Sequence, residues 1–315
     1  MSNSKKSAAK VVGFTILGLF VLFVISGGCF FLGLVTSSIG ELGGQPSTFS
    51  STGNAIYEIR LEGTVSASST TGLLGGAAIT PEYVIGQLIE AEKNLNVRAI
   101  LLRVNSGGGS AAASQEIFEE LKKVEKPVVV SVSDICASGA YYIACAADKI
   151  VANRSSSVGS IGVIMQIPNL EELYKKVGIE YTTIKQGKYK DVGSSDRPLT
   201  AEEEQLLRDQ TFKIYEQFIK DVSDSRKIPI QKVREIATGW VYLGTEALDL
   251  GLIDNIGTYK DAEKLAAQLG GIKGEPIIIG SQQNTLVDKL LSYYFSQAIN
   301  KIINLKAVQQ YPEIN

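Results

Sequence analysis

The most informative feature of the sequence is a serine among small residues, Ser138, in a chain of 315 residues without histidine. The segment from 137 to 142 reads Ala-Ser-Gly-Ala-Tyr-Tyr. A nucleophilic serine in such a chain cannot use the imidazole base of a Ser-His-Asp triad. The most available base is a lysine amine, and Lys190 lies in the segment Gly-Lys-Tyr-Lys-Asp at 187–191. These residues favour a pair in which Ser138 attacks a carbonyl carbon and Lys190 accepts its proton.

Each of these two residues also has a purely structural interpretation when it is taken alone. A serine among small residues permits close packing, and the segment lacks the Gly-x-Ser-x-Gly elbow of α/β-hydrolases. Lys190 alone is compatible with an ordinary solvated lysine, as we interpret Lys185 and Lys188. As a base it must lose its proton near neutral pH, which an apolar cleft closed by a bound peptide would favour.

A glycine-rich turn at 105–109, Asn-Ser-Gly-Gly-Gly, supplies candidate donors for an oxyanion hole. It follows one apolar strand and the Ser138 segment follows the next, so both turns meet at the carboxyl edge of a parallel sheet. Backbone amides aimed at a developing oxyanion stabilise it, and the candidates are Gly108 or Gly109 together with Gly139. A phosphate cradle is the alternative for this turn, although the Gly-Lys-Ser/Thr of a P-loop is missing.

Composition argues against several other classes of function. Hydrophobic residues make up 44% of the chain and charged residues 20%, so a sizeable core can form. The net charge is -2 and no basic block accompanies aromatic residues, which argues against a nucleic-acid partner. Cys29, Cys136 and Cys145 lack Cys-x-x-Cys spacing and histidine companions, so we expect no metal. We expect Cys136 and Cys145 to lie buried in one helical segment, in positions that cannot form a disulfide.

An apolar segment near the N-terminus predicts attachment to a membrane. No charged residue occurs from 11 to 39. About 20 apolar residues span a bilayer, so we expect a transmembrane helix at 11–36. By the positive-inside bias, the lysines before it place residues 1–10 in the cytoplasm and the catalytic part outside. These lysines are Lys5, Lys6 and Lys10.

A cleaved secretory signal is the alternative for this segment, and Cys29 could belong to a lipoprotein processing site. That site usually has leucine three residues before the cysteine, where this chain has Ser26. The apolar run also continues through 30–35, which a cleaved signal does not need. We therefore expect an uncleaved anchor, followed by a flexible linker rich in Ser, Thr and Gly at 37–54.

Strand, turn and helix alternate over the predicted catalytic domain at 55–275, which favours an α/β fold of parallel βαβ units. The predicted strands are 55–61, 98–104, 127–133, 149–152 and 161–167. The predicted helices are 81–94, a helix capped by Ser110, 137–147, and 200 to about 225, where a capping box marks the start. At 276–315 we expect a strand and then an amphipathic helix, whose apolar stripe packs on the domain, the membrane surface or a neighbouring subunit. We favour the subunit contact.

The segments quoted above resemble those of the signal peptide peptidase A (SppA) serine proteases. The turn at 105–109 is similar to the family's Asn-Ser-Pro-Gly-Gly, with Gly107 in place of proline, and 137–142 is similar to its nucleophile segment. The resemblance covers about residues 54 to 265 in the family's order. Further matching segments are Gly-Ser-Ile-Gly-Val at 159–163, Gly-Lys-Tyr-Lys-Asp at 187–191, Gly-Trp-Val-Tyr-Leu-Gly at 239–244, Ala247, Gly-Leu-Ile-Asp at 251–254, Gly257 and Asp-Ala at 261–262.

The resemblance implies a ClpP/crotonase-like α/β fold of repeated ββα units. It also implies Ser138 as nucleophile, Lys190 as general base and Ser160 as the residue that orients the lysine amine, with no cofactor. The short form of the family has one catalytic domain per chain and forms a dome-shaped ring in which neighbouring subunits complete the site.

Together, residues and resemblance predict a membrane-anchored serine endopeptidase that degrades released signal peptides, which are hydrophobic, through an acyl-enzyme on Ser138. A crotonase-like acyl-CoA enzyme is one alternative, because that chemistry also uses paired amides as an oxyanion hole. A catalytically inactive membrane scaffold of the same fold is the other.

Overall fold

The computed structural model of this chain describes residues 54–68 and 78–280. The predicted anchor at 11–36, Cys29, nearly all of the linker and the C-terminal helix lie outside these residues. Among the helices that are described, none combines the length and the apolar character needed to cross a membrane.

The strands of the described chain are mostly short, with three long ones. They are β1 (Ala55–Glu62), β2 (Thr64–Val65), β3 (Ala78–Ile79), β4 (Val97–Ser106), β5 (Val128–Ala137), β6 (Lys149–Ala152), β7 (Ser157–Gly159), β8 (Val241–Leu243), β9 (Asn255–Ile256) and β10 (Ile277–Ile279).

The helices lie between these strands and in one insertion after β7. They are α1 (Pro81–Lys93), α2 (Ala111–Leu121), α3 (Gly139–Ala144), α4 (Glu171–Val177), α5 (Ala201–Arg226), α6 (Ile230–Ile236), α7 (Gly244–Asp249) and α8 (Tyr259–Leu269). Several begin as the sequence predicts: the Thr80 side chain accepts from the N–H of Tyr83 at α1, and Thr200 and Glu203 form the capping box of α5.

One mainly parallel sheet organises the domain, with strand order β10-β1-β4-β5-β6-β9. The first part of β5 pairs with β6, whereas its last residues, 135–137, pair in parallel with β7. Strand β8 then adds antiparallel to β7. A separate two-stranded sheet joins β2 to β3. The long strand β5 therefore carries its carboxyl end beyond β6 to a second partner.

Helices cover both faces of the sheet, because the apolar residues of its central strands alternate between two cores. On β4, Ile100 and Leu102 join the larger core with α1, α2 and α3. Ala99 and Leu101 point to the opposite face, where they pack with residues of α8 such as Ala266. The prediction of an α/β fold is therefore confirmed, and near-continuous apolar runs such as 99–102 are typical of a sheet buried on both faces.

Three local predictions were wrong around the end of β5. The strand continues to Ala137 instead of ending at 133, because its extension pairs with β7. The helix after it is only six residues long and starts at Gly139. Consequently Cys136 lies in a strand and Cys145 caps the helix, although both thiols are free and buried as expected.

The strand predicted at 161–167 is also absent from this described part of the chain. The strand that occupies this place is β7, which ends at Gly159. Ile161 is buried, but two other apolar residues that suggested a strand lie on the surface, with Ile164 84% and Met165 47% exposed. An apolar run marks a buried strand only when a partner layer covers it, and within the described residues nothing covers these two side chains.

Candidate active site

Three strands end at the same edge of the sheet and deliver the predicted site residues there. Strand β4 leads into the glycine turn at 107–109, β5 leads into Ser138, and β7 leads into Ser160. Because β5 pairs in parallel with both β4 and β7, their carboxyl ends lie side by side. The parallel topology therefore brings together three segments that are distant in sequence.

Ser138 occupies a constrained turn between β5 and α3. Its φ of 52° is unusual for a residue other than glycine. Two backbone hydrogen bonds hold this conformation: its N–H donates to the Gly159 carbonyl at 2.7 Å, and its carbonyl accepts from the N–H of Tyr142 at 2.9 Å. Its hydroxyl has no hydrogen-bond partner within the described residues. The turn thus presents a half-buried, unpaired hydroxyl at the edge of the sheet.

The glycine turn packs directly against the backbone that follows Ser138. A Cβ built on Gly108, whose φ is 93°, would lie 2.5 Å from the Gly139 nitrogen. One built on Gly139 would lie 3.3 Å from the Gly109 nitrogen. Such distances leave no room for a side chain at Gly108, so the two turns meet through bare backbone.

Two amides of this contact remain available as donors. The N–H of Gly108 already donates to the Ser106 hydroxyl at 3.1 Å. The N–H groups of Gly109 and Gly139 donate to no described residue. Val65 of β2 fixes the turn from the other side: its N–H donates to Gly108 at 3.0 Å, and its carbonyl accepts from Ser110 at 2.9 Å.

A cavity of about 740 Å³ opens in front of Ser138. This volume is in the range typical of ligand pockets. Residues of the two turns, the polar side chains of Ser110, Ser160 and Thr238, and a set of larger, mainly apolar side chains line it. These side chains are Tyr142, Val163, Ile164, Ile214, Tyr215 and Phe218.

Ser160 also lines the cavity and also has a positive φ of 52°. Its N–H donates to the Trp240 carbonyl at 2.8 Å, and its hydroxyl donates to the Gly239 carbonyl at 3.1 Å. The loop that supplies these carbonyls is held by two phenols: Tyr215 donates to Ala237 at 2.6 Å and Tyr242 donates to Ile236 at 2.9 Å.

A family model and several relatives agree on what this chain is similar to. The model of Peptidase family S49 matches residues 120–273. A Methanocaldococcus jannaschii protein, assigned provisionally as a protease, is 43% identical over 223 residues, which cover 70% of this chain and 71% of that protein. The chain belongs to peptidase family S49.

Other members of the family match a smaller share of their own length. The chloroplastic serine protease SPPA of Arabidopsis thaliana is 34% identical, over 79% of this chain and 38% of that protein. Protease 4 of Haemophilus influenzae is 34% identical, over 69% of this chain and 35% of that protein. The chain thus spans little more than a third of these two longer members. The predicted resemblance to the SppA family is confirmed.

Solved structures share only a distant likeness. A mutant of ClpP1 from Listeria monocytogenes gives a TM-score of 0.44 at 15% identity, over 65% of this chain and 93% of that one. A mutant of a membrane-bound stomatin-specific protease gives 0.47 at 15% identity, over 73% and 98%. We take the fold of this S49 member from its own strand order.

Besides Gly108, Lys190 is the predicted site residue that the structure does not bring to the cavity of its own chain. It is exposed and lies outside the lining of the cavity. Its backbone N–H closes a turn onto the Gly187 carbonyl at 3.3 Å, and within the described residues its ammonium has no partner. The other predicted residues, Ser138, Ser160, Gly109 and Gly139, all line the cavity.

The cysteines of the described chain are not alternative nucleophiles. Burial raises the pKa of Cys145 to about 12 and that of Cys136 well above its usual value, so both thiols stay protonated at neutral pH. The described residues also contain no cluster of carboxylates and cysteines that could hold a metal ion.

Sequence analysis missed the groups that support the site. Val65 forms two backbone hydrogen bonds with the glycine turn, and the Ser106 hydroxyl accepts from the Gly108 N–H. The carbonyls of Gly239 and Trp240 accept hydrogen bonds from Ser160. The motif at 239–244 was noticed in the sequence, but its contact with Ser160 depends on backbone atoms that no residue type reveals.

We predict that Gly108→Ala lowers peptidase activity by at least about 100-fold, the effect expected when an oxyanion donor is displaced. The new Cβ would push against the Gly139 nitrogen and the Ala137 carbonyl, which lies 2.8 Å away. The positive φ adds about 1–3 kcal/mol of strain. Hydrolysis of a fluorogenic peptide and thermal unfolding followed by circular dichroism measure the two effects.

Gly271→Ala is the matched control, because Gly271 has a φ of 65° and nothing within 4 Å of the added Cβ. It should show the strain alone, with unchanged activity. Wild-type turnover in a folded Gly108→Ala enzyme would show that the contact between the two turns is not required for the reaction.

Proposed function

We propose that this chain is a serine endopeptidase in which Ser138 is the nucleophile and Lys190 the general base. One observation carries the proposal: Ser138, Gly109 and Gly139 line the same cavity, and in the described part of the chain neither the Ser138 hydroxyl nor the N–H groups of the two glycines have a hydrogen-bond partner. A chain without histidine needs another base for such a serine, and an amine is suitable. Membership in a peptidase family supports a peptide bond as the target and disfavours the acyl-CoA alternative.

In the proposed reaction the Ser138 Oγ attacks the scissile carbonyl carbon while its proton passes to the neutral amine of Lys190. Negative charge develops on the carbonyl oxygen, which the N–H groups of Gly109 and Gly139 stabilise. The C–N bond then breaks, the leaving amine takes the proton from Lys190, and an acyl-enzyme remains on Ser138. Water, deprotonated by the same amine, hydrolyses the ester and restores Ser138.

Ser160 is suited to orient that amine. Its hydroxyl proton is directed to the Gly239 carbonyl, so the lone pairs of its oxygen can accept an N–H from a lysine. Ser160 lines the same cavity as Ser138, which supports it as the acceptor for an amine that approaches Ser138.

We further propose that Lys190 serves Ser138 of a neighbouring copy within a homo-oligomeric ring. The insertion between β7 and α5 carries Lys190 on an exposed surface with large apolar side chains, which typically mark an interface. Ile164 is 84% exposed, Ile184 91%, Tyr181 59% and Val177 60%. A second copy packed on this insertion would cover them and would bring the exposed Lys190 to a cavity.

The apolar walls of the cavity favour hydrophobic peptide segments, in accord with released signal peptides as substrates. The apolar run at 11–36 supports an anchor that would hold the catalytic domain outside the cytoplasm, next to such peptides. We propose that this is where the enzyme acts.

Mixing two inactive variants tests both the pair and its sharing between copies. Ser138→Ala and Lys190→Ala should each lose nearly all cleavage of a fluorogenic peptide, because the members of a catalytic unit fail together. If rings form at random from a 1:1 mixture, about a quarter of the sites combine an intact Ser138 with an intact Lys190. Co-refolding the two variants should therefore restore up to about a quarter of the wild-type rate per subunit.

Mixing Ser138→Ala with the double variant Ser138→Ala/Lys190→Ala is the control and should restore nothing. Full loss in the single variants without any recovery on mixing would confine the site to one chain. Near wild-type turnover in Ser138→Ala would instead refute Ser138 as the nucleophile.

The proposed topology predicts that a reporter enzyme fused after Asn315 is active only outside the cytoplasm, since Lys5, Lys6 and Lys10 retain the N-terminus inside. Mass spectrometry of the mature protein should find the uncleaved N-terminus. A chain that begins at a lipidated Cys29 would show lipoprotein processing instead.

A further inference from the structure

The segment that leads to the Lys190 turn contains three lysines, Lys185, Lys188 and Lys190, and they differ in their ion-pair partners. The Lys185 Nζ lies 2.5 Å from Asp191 Oδ1, and the Lys188 Nζ lies 2.6 Å from a carboxylate oxygen of Glu202. Within the described residues, the ammonium of Lys190 alone among the three has no counter-ion. The two neighbouring lysines are therefore ion-paired, whereas the Lys190 amine is itself unpaired among the described residues.

Asp191, the residue after Lys190, is held by two cations. Besides the contact with Lys185, its second carboxylate oxygen accepts from the Nε of Arg197 at 3.1 Å. The Arg197 Nη2 also donates to the Asp191 backbone carbonyl at 3.3 Å. On the other side of Lys190, the Lys185 Nζ donates to the Lys188 carbonyl at 3.3 Å. Side-chain donors therefore fix the backbone both before and after Lys190.

Arg197 connects this turn to the first turn of α5. Its Nη1 and Nη2 donate to the two carboxylate oxygens of Glu203 at 2.8 and 2.7 Å. The Glu203 side chain is only 6% exposed and also accepts from the N–H of Thr200 at 2.9 Å in the capping box. The Arg197 guanidinium, with that N–H, lowers the pKa of Glu203 from 4.5 to about 2. The bidentate pair thus joins the turn to a helix end that is itself capped.

We infer that Asp191 and Arg197 are positioning residues for the Lys190 amine. Their ion pair fixes the turn that presents the amine, and the Arg197 guanidinium offsets the charge of the Asp191 carboxylate, which follows Lys190 in the chain. The inference rests on the proposed function, because it assigns a role relative to Lys190 as the base. Neither side chain lines the cavity that contains Ser138.

The charges around the turn predict in which direction each substitution should shift the pH dependence of the reaction. A carboxylate near an amine favours its protonated form, and a nearby cation disfavours it. Arg197 and Lys185 both contact the Asp191 carboxylate, so their positive charges offset its negative charge next to Lys190 in the chain. The charged groups around the turn are Lys185, Lys188, Asp191, Asp196, Arg197, Glu202 and Glu203.

Two substitutions should therefore move the pH dependence of the reaction in opposite directions. Arg197→Gln leaves Asp191 under-neutralised, so the acidic limb of kcat/KM should shift to higher pH by about 0.5–1 unit. Asp191→Asn leaves two cations without their carboxylate, so the limb should shift to lower pH by a similar amount. In both variants kcat at the optimum should fall at least about tenfold, because a misplaced amine costs this much or more, and KM should stay within about twofold.

Arg197→Lys separates charge from geometry. It retains the positive charge but loses the two-pronged contact with Glu203, so the limb should return to the wild-type position while kcat stays reduced. Arg208→Gln is the matched control, because Arg208 lies on α5, pairs with Glu204 at 2.5 Å and is 70% exposed. It removes the same charge away from the turn and should leave the profile unchanged. All variants are measured as full-length protein in detergent, with an apolar fluorogenic peptide and with thermal unfolding as the check on folding.

Each outcome decides the inference. Opposite shifts in Arg197→Gln and Asp191→Asn, with an unchanged Arg208→Gln enzyme, support it. Unchanged limbs in both variants, or equal shifts in all three, overturn it, provided that Lys190→Ala is inactive. If Lys190→Ala retains activity, the proposed base itself is wrong, which distinguishes that failure from this one. Should Arg197→Gln not fold, Asp191→Asn and Arg197→Lys still test the sign and the geometry.

Discussion

The site depends on one contact, in which the backbone of the glycine turn after β4 touches the backbone of the turn after β5. A Cβ on Gly108 would lie 2.5 Å from the Gly139 nitrogen, so the contact exists only because a side chain is missing there. It places the amides of Gly109 and Gly139 beside the Ser138 hydroxyl, and Val65 holds the turn from behind. The long strand β5 and its late pairing with β7 then bring Ser160 to the same edge. The sheet edge therefore sets the positions of the proposed nucleophile, donors and acceptor before any substrate binds.

The proposed base, Lys190, is positioned by a different kind of interaction. Lys190 stands on an exposed insertion without a core of its own, and ion pairs rather than buried side chains hold its turn to α5. The bidentate pair between Arg197 and Glu203 has a fixed geometry, which an exposed segment otherwise lacks. Such an arrangement suits a residue that must be presented to another surface. Among the residues that the structure describes, the Lys190 amine has no partner, whereas Lys185, Lys188 and Arg197 are ion-paired.

Sequence reasoning succeeded where a local pattern decides the outcome. Apolar runs and the caps of Thr80 and Thr200 predicted the α/β class, the three long strands and helices α1, α2 and α5. The absence of histidine and the small-residue and glycine segments predicted Ser138, Gly109 and Gly139 at the cavity, whereas Ser160 was implied by the family resemblance. It failed where tertiary contacts decide. The extension of β5 depends on pairing with β7, and the surface position of Ile164 runs against its residue type. The choice between the Gly108 and Gly109 amides depends on the Ser106 hydroxyl, which a sequence pattern does not place.

Covalent labelling tests the central claim most directly. The enzyme should react with a fluorophosphonate probe in a 1:1 ratio, and peptide mapping should place the adduct on Ser138. Activation by the proposed base predicts that Lys190→Ala abolishes this labelling at neutral pH while the fold, followed by circular dichroism, is retained. Labelling of another residue, or equal labelling of Ser138 in wild type and Lys190→Ala, would contradict the account.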